Sequence, residues 1–264
     1  MGELQNTVSP MVEIHIYQRP DSTVLRFRPM RLYEAAIACR AYTAFGGEFD
    51  DSFRQFVSIT GGALRLESDD CGSALMKWLN EWGCRQFAKE YHDDALERIR
   101  LWAQRYLRDL PGEAASILEL TDSDIHRAAG AFDVLKELQA SQKGTRRGVV
   151  SVRVGATGGA KIIYALRPQA LPPWDDAIRN RLHCDGSADS YASFIRTVIH
   201  EVEELLADAA KHGVSRSQLP AIIGSSESTL AKIVDEYFWV TITRGFAVPK
   251  VSDLQTWARW CGVI

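Results

Sequence analysis

The chain has 264 residues, 46% of them hydrophobic and 25% charged, and a formal net charge of −3. This is enough apolar residue for one large core or two small ones, and a charge too close to neutral for a protein that coats nucleic acid over its whole surface. The five cysteines (Cys39, Cys71, Cys84, Cys184 and Cys261) form no CxxC pair, and no apolar run approaches the roughly 18 residues of a membrane helix. These features exclude a zinc knuckle, a disulfide framework and a transmembrane span, and lead us to expect a cytoplasmic protein with no cofactor, no metal and no membrane partner.

In chain order, residues 1–30 look extended. Met11 to Tyr17 alternates apolar and polar, Arg19-Pro20-Asp21-Ser22 is a turn, and Thr23 to Arg28 can pair back as a small N-terminal β-hairpin. Arg31 to Phe45 has helical periodicity, and Gly46-Gly47 is expected to stop it. Phe53 to Leu66 is short and ambiguous, with strand as one reading. Helices follow over Ser73–Phe87, Asp93–Leu110 and Thr121–Gln142, each with an apolar stripe at helical spacing.

The polar basic loop Gly144-Thr-Arg-Arg-Gly148 is the best candidate boundary. It divides an N-terminal region, 1–145, from a C-terminal region, 146–264, unless the two interleave in one domain. Val149 to Val154 reads either as a strand or as the first helix of a tight hairpin. Ser187 to His212 is a helix capped by Asp189 or Ser190 and closed by Gly213. Two short helices joined at Gly224-Ser-Ser226 come next. Phe238 to Arg244 alternates like a strand, and Ser252–Trp260 is a last helix.

Charge is uneven along this order. Between Ser141 and Leu182 lie eight cations (Lys143, Arg146, Arg147, Arg153, Lys161, Arg167, Arg179, Arg181) against Asp175 and Asp176, a local charge of +6 that leaves the remainder at −9. A basic segment in an acidic chain has the form of a polyanion site. Within it, Gly155-Ala-Thr-Gly158-Gly159 precedes an apolar helix and can offer backbone N–H groups to phosphate, with Lys161 and Arg153 adding charge. A stiff Leu171-Pro172-Pro173-Trp174 corner then delivers Asp175 to the start of another helix.

This arrangement resembles the helix-hairpin-helix DNA glycosylase superfamily, in which an hGhG hairpin opens a helix and an aspartate follows about twenty residues later. The second hairpin glycine falls on Gly155 and the aspartate on Asp175, over about 30 of the 264 residues. The first hairpin glycine falls on Arg153, Thr157 stands where bifunctional members carry lysine, and no four-cysteine iron–sulfur loop is present. The resemblance therefore implies a mostly helical protein with a helix-hairpin-helix-like centre, DNA as partner, and a monofunctional route. In it Asp175 is the catalytic carboxylate and Trp174 stacks on a flipped base. Arg153, Gly155, Gly158, Gly159, Lys161 and Arg179 are the remaining nucleic-acid contacts.

The same residues also fit a non-enzymatic structural or protein-interaction module, with Asp175 a plain helix cap and Trp174 a core residue. A third reading is a helix-turn-helix over 215–237. Its second helix carries Glu227, Asp235 and Glu236 against Lys232, which phosphates repel. His200 and Glu204 share a helix face and are two of the ligands a metal site needs. A solvated pair is the simpler reading of them.

Overall fold

The computed structural model describes residues 29–61 and 64–264. Helix dominates: α1 (Leu32–Thr60), α2 (Asp69–Glu81), α3 (His92–Tyr106) and α4 (Asp122–Glu137) precede a two-stranded antiparallel sheet, β1 (Gln139–Thr145) and β2 (Gly148–Arg153). Then come α5 (Gly155–Leu166), α6 (Asp176–Arg181), α7 (Ala188–Lys211), α8 (Leu219–Ile223), α9 (Leu230–Phe238), a π-helical turn (Trp239–Thr243) and α10 (Val251–Trp260).

Helix α5 is the axis of the fold. Every residue from Gly158 to Leu166 is buried, and the helix packs on α4 and α2. Glycine is needed at its start for two reasons. Gly155 has φ +69°, a left-handed conformation that only glycine takes without strain, and it turns the chain from β2 into the helix. At Gly158 a Cβ would come within 2.6 Å of Gln86 Nε2. Gly159 lies against Phe132. These two glycines therefore lie inside the core, where they let α5 approach its neighbours; they do not form an open phosphate cradle.

Helix α1 runs straight through Gly46-Gly47 and takes in the ambiguous stretch from Phe53 as far as Thr60; it ends only at Gly61, φ +64°. The expected stop is overturned by packing. The rings of Tyr42, Trp239 and Phe49 lie 3.3 to 3.6 Å from where a Cβ on Gly46 would be. Burial at that close approach outweighs the roughly 1 kcal/mol helical cost of glycine.

The small sheet lies at 139–153, not at the N-terminus; the hairpin expected over 11–28 falls outside the described residues. Its tip is the Thr145–Gly148 loop read as a domain boundary, closed by Gly148 at φ +116°. Residues 149–153 are thus strand, and the alternative of a first hairpin helix is excluded. One continuous hydrophobic cluster runs from Met30 to Phe238 and includes residues from both sides of that loop.

Two further expectations are corrected. Ser187, not Asp189 or Ser190, caps α7, its hydroxyl accepting from Ser190 N at 3.2 Å. Residues 239–243 form the π-turn, not a strand: the i→i−5 bond from Arg244 N to Trp239 O, 2.9 Å, continues α9. Among the described residues no helix is long and apolar enough to cross a membrane.

The would-be recognition helix is α9, and it is internal. Lys232, Asp235 and Glu236 are all buried, and α9 packs against α1 and α7. With these charged side chains turned inward the helix cannot enter a DNA groove, so the helix-turn-helix reading is set aside.

Candidate functional site

A cavity of about 360 Å³ opens beside α5. One wall is aromatic: Tyr42 and Phe49 from α1, Trp82 just after α2, and Trp239 from the π-turn. Trp239 stands edge-on to Tyr42 at 5.2 Å and to Phe49 at 5.9 Å between ring centroids. Trp82 is fixed by its Nε1–H on Phe49 O at 3.0 Å. Much of the rest of the lining is charged: Lys161 from α5, Asp175 and Asp176 at the start of α6, and Lys232 and Asp235 from α9.

Asp175 reaches the cavity because the Pro172-Pro173 corner ends where α6 begins. Its Oδ1 accepts from Ile178 N at 2.7 Å, the N-cap bond read from the sequence. Its Oδ2 accepts from the Thr243 hydroxyl at 2.7 Å, across from the π-turn. The carboxylate is therefore held at both oxygens while bordering the cavity. It is a cap and a cavity residue at once.

Lys161 donates its ammonium to the Trp82 carbonyl and lies 5.6 Å from the centre of the Trp82 ring. Thr157, one turn earlier on α5, donates to Asp176 Oδ1 at 2.7 Å. That hydroxyl, with Arg179 behind it, holds the Asp176 carboxyl below the usual carboxylate range.

The inner wall is an ion pair. Lys232 Nζ lies 2.7 Å from Asp235 Oδ2 and 4.3 Å from the centre of the Tyr42 ring. Burial pulls the ammonium down, but Asp235, then Tyr42 and Glu236, outweigh it and hold Lys232 well above the ordinary lysine range. Glu236 is itself engaged by the hydroxyls of Ser225 and Ser228.

Three of the residues singled out in the sequence meet here: Lys161, Trp174 and Asp175. Trp174 borders the cavity, but its ring is packed among Phe132, Tyr191 and Phe194, with Nε1 on Ala156 O at 3.0 Å. It has no free face, so the stacking surfaces are the partly exposed Trp239 and Phe49. The other candidates lie elsewhere. Arg179 is committed to Asp176 at 2.8 Å, and its Nε is buried without a partner. Arg153 is exposed at the foot of the hairpin, paired with Glu137. Gly155 forms the turn, and Gly158 and Gly159 are core.

Sequence reading missed Tyr42, Phe49, Trp82, Trp239 and Thr243, and gave Lys232 and Asp235 to the helix-turn-helix in place of this site. No local signal marked them. Lys232, Asp235 and Glu236 fall at i, i+3, i+4 on one face of Leu230–Phe238, the pattern of an ordinary amphipathic helix with a solvated charged face. Their burial depends on α1 and α7 packing over that helix, which the local sequence does not encode.

No family model matches this chain, and neither does any curated protein or solved structure.

Proposed function

We propose that the chain binds DNA and takes a single extruded base into the cavity, where Asp175 promotes cleavage of the bond between base and sugar. One observation carries this reading: a carboxylate fixed at both oxygens borders the same aromatic-walled space as Lys161. The volume, about 360 Å³, is at the small end of ligand sites. Trp239 and Phe49 supply flat apolar faces for a base, and Lys161 supplies a donor for one of its acceptor atoms.

The chemistry follows from the charges. As the C1′–N bond breaks, its electron pair leaves with the base and positive charge develops on the sugar. Asp175 stabilises that charge. Water then bonds to C1′, giving its proton to Asp175, and the departing base takes up a proton. The helix-hairpin-helix form belongs to this proposal in a modified sense: α4 and α5 are joined by a β-ribbon in place of a tight turn.

The test is release of free base from duplexes that each carry one damaged or mismatched base. Wild type is expected to release at least one kind, and Asp175→Asn to bind the same duplex but release base about 10²–10³-fold more slowly. An Asp175→Asn protein that binds and cleaves like wild type removes the catalytic role. A non-enzymatic protein-interaction module is the second reading. It is favoured by α10, which buries none of its residues and leaves Trp257 and Trp260 exposed. DNA binding without base release from any duplex would favour a non-catalytic reading.

A further inference from the structure

The hairpin between α4 and α5 is built unlike the rest of the chain. From Gln142 to Ser151 every residue is exposed, on both faces of both strands. Four residue pairs, from Gln142↔Ser151 to Thr145↔Gly148, stand clear of the core. At about 3.4 Å per residue the ribbon projects roughly 14 Å. It carries Lys143, Arg146 and Arg147 and no acidic residue. None of these three side chains makes an ion pair or a hydrogen bond among the described residues. Val149 and Val150, 69% and 45% exposed, lie on the same ribbon.

A free two-stranded ribbon is marginal in water, so this one needs anchoring. Its foot is tied down twice by one residue. The Ser141 hydroxyl donates to Gln86 O at 2.6 Å, and Gln86 Nε2 donates to Val154 O at 2.8 Å. Gln86 belongs to the loop that also carries Trp82 and Gly83 of the cavity rim. Beyond Val154 the ribbon runs directly into α5, which bears Thr157 and Lys161. The arm is thus set at a fixed place relative to the cavity.

We infer that this ribbon is a groove-entering arm for duplex DNA, with Lys143, Arg146 and Arg147 on phosphates and one face of the ribbon toward the base edges; Val149 and Val150, being consecutive, lie on opposite faces. The inference rests on the DNA reading above and names how the duplex is held. Charge is the first argument: three cations with no ion-pair partner among the described residues, on a ribbon that carries no acid of its own, match a polyanion. Shape is the second: the major groove of B-form DNA, about 12 Å wide, admits a two-stranded ribbon, whereas that of A-form RNA is too deep and narrow.

The experiment is fluorescence anisotropy of labelled B-form DNA duplex against salt, with A-form RNA duplex and single-stranded DNA as competitors. For wild type we expect duplex DNA to bind at least tenfold more tightly than either competitor. For Lys143→Ala/Arg146→Ala/Arg147→Ala we expect the slope of log affinity against log salt to become shallower by about 2.7, at about 0.9 per lost phosphate contact. Each single substitution should remove about a third of that, which keeps the test open should the triple variant fold poorly. Arg146→Lys/Arg147→Lys should keep the slope.

An unchanged slope in the alanine variants, with wild type binding DNA, overturns the arm and leaves the cavity reading standing. Equal affinity for RNA duplex or single strand overturns groove entry. Failure of wild type to bind duplex at low salt overturns the DNA reading and this inference with it.

Discussion

The wall of α9 and the β-ribbon carry the same kinds of charged side chain under opposite conditions. On α9 the ammonium of Lys232 is enclosed, 2.7 Å from Asp235 and over the Tyr42 ring. On the ribbon Lys143, Arg146 and Arg147 stand in water with no ion-pair partner among the described residues. A buried charge is kept only where its partners are fixed, so it belongs to the architecture of the site. An exposed cluster of one sign costs the fold little and is left free to meet a partner. Residue type does not separate the two cases; enclosure does.

The sharpest way to break this comparison is to remove one member of the enclosed pair. Lys232→Met leaves Asp235 buried without its cation, and urea unfolding should show a loss of about 3–5 kcal/mol. The double variant Lys232→Met/Asp235→Leu removes both charges and should regain most of that loss. If the single and double variants are equally destabilised, the pair is not what holds this wall.

Glu201 on α7 sharpens the comparison, being enclosed like Lys232 but with no cation beside it among the described residues. Its Oε2 accepts from Met30 N at 3.0 Å, and Glu204 and Glu34 are near. Burial, above all, raises its carboxyl from 4.5 to about 7. Below pH 4.5 the group is protonated in folded and unfolded chain alike and carries no penalty. As pH rises toward 7 the unfolded chain ionises while the folded one keeps the proton, so stability falls; above about 7 the penalty is complete. Wild type should lose roughly 3 kcal/mol between pH 4.5 and 8 relative to Glu201→Gln. Parallel unfolding curves for the two proteins across that range would count against it.

Asp175→Ala tests the residue that lies between the two extremes, being both a cap and a cavity carboxylate. Loss of the N-cap on α6 should cost about 1 kcal/mol by thermal unfolding. The effect of the ribbon variants on stability should be smallest, within about 0.5 kcal/mol, although they change the salt dependence most.

The parts of the fold legible in the sequence are those set by local period. The stripes of α3 and α4, the helix start at Thr121 and the turn at Gly224 all rest on neighbours a few residues away. What was not legible depended on distant partners. Gly46 looks like a stop until Trp239, almost two hundred positions later, is seen to pack on it. The loop at Gly144–Gly148 looks like a linker because only the strand after it, rich in valine, was readable; its partner, Gln139–Thr145, is too polar to announce itself. Of the site, Asp175 and Lys161 were legible from the Pro-rich corner and the basic segment. The aromatic wall was not, because Tyr42, Phe49, Trp82 and Trp239 come from three separate parts of the chain.

The π-turn at Trp239–Thr243 has a consequence for phase. A π-turn holds one residue more than the α-turn it continues, so everything after it is rotated by about 100° relative to an unbroken helix. That rotation is what brings the Thr243 hydroxyl onto Asp175 Oδ2 while Trp239 stays on Tyr42. Deleting a single residue from 240–242 would return the helix to its ordinary winding and swing Thr243 out of line with the carboxylate. The seating of Asp175 is thus written as an insertion, a matter of counting along the chain as much as of which side chains are present.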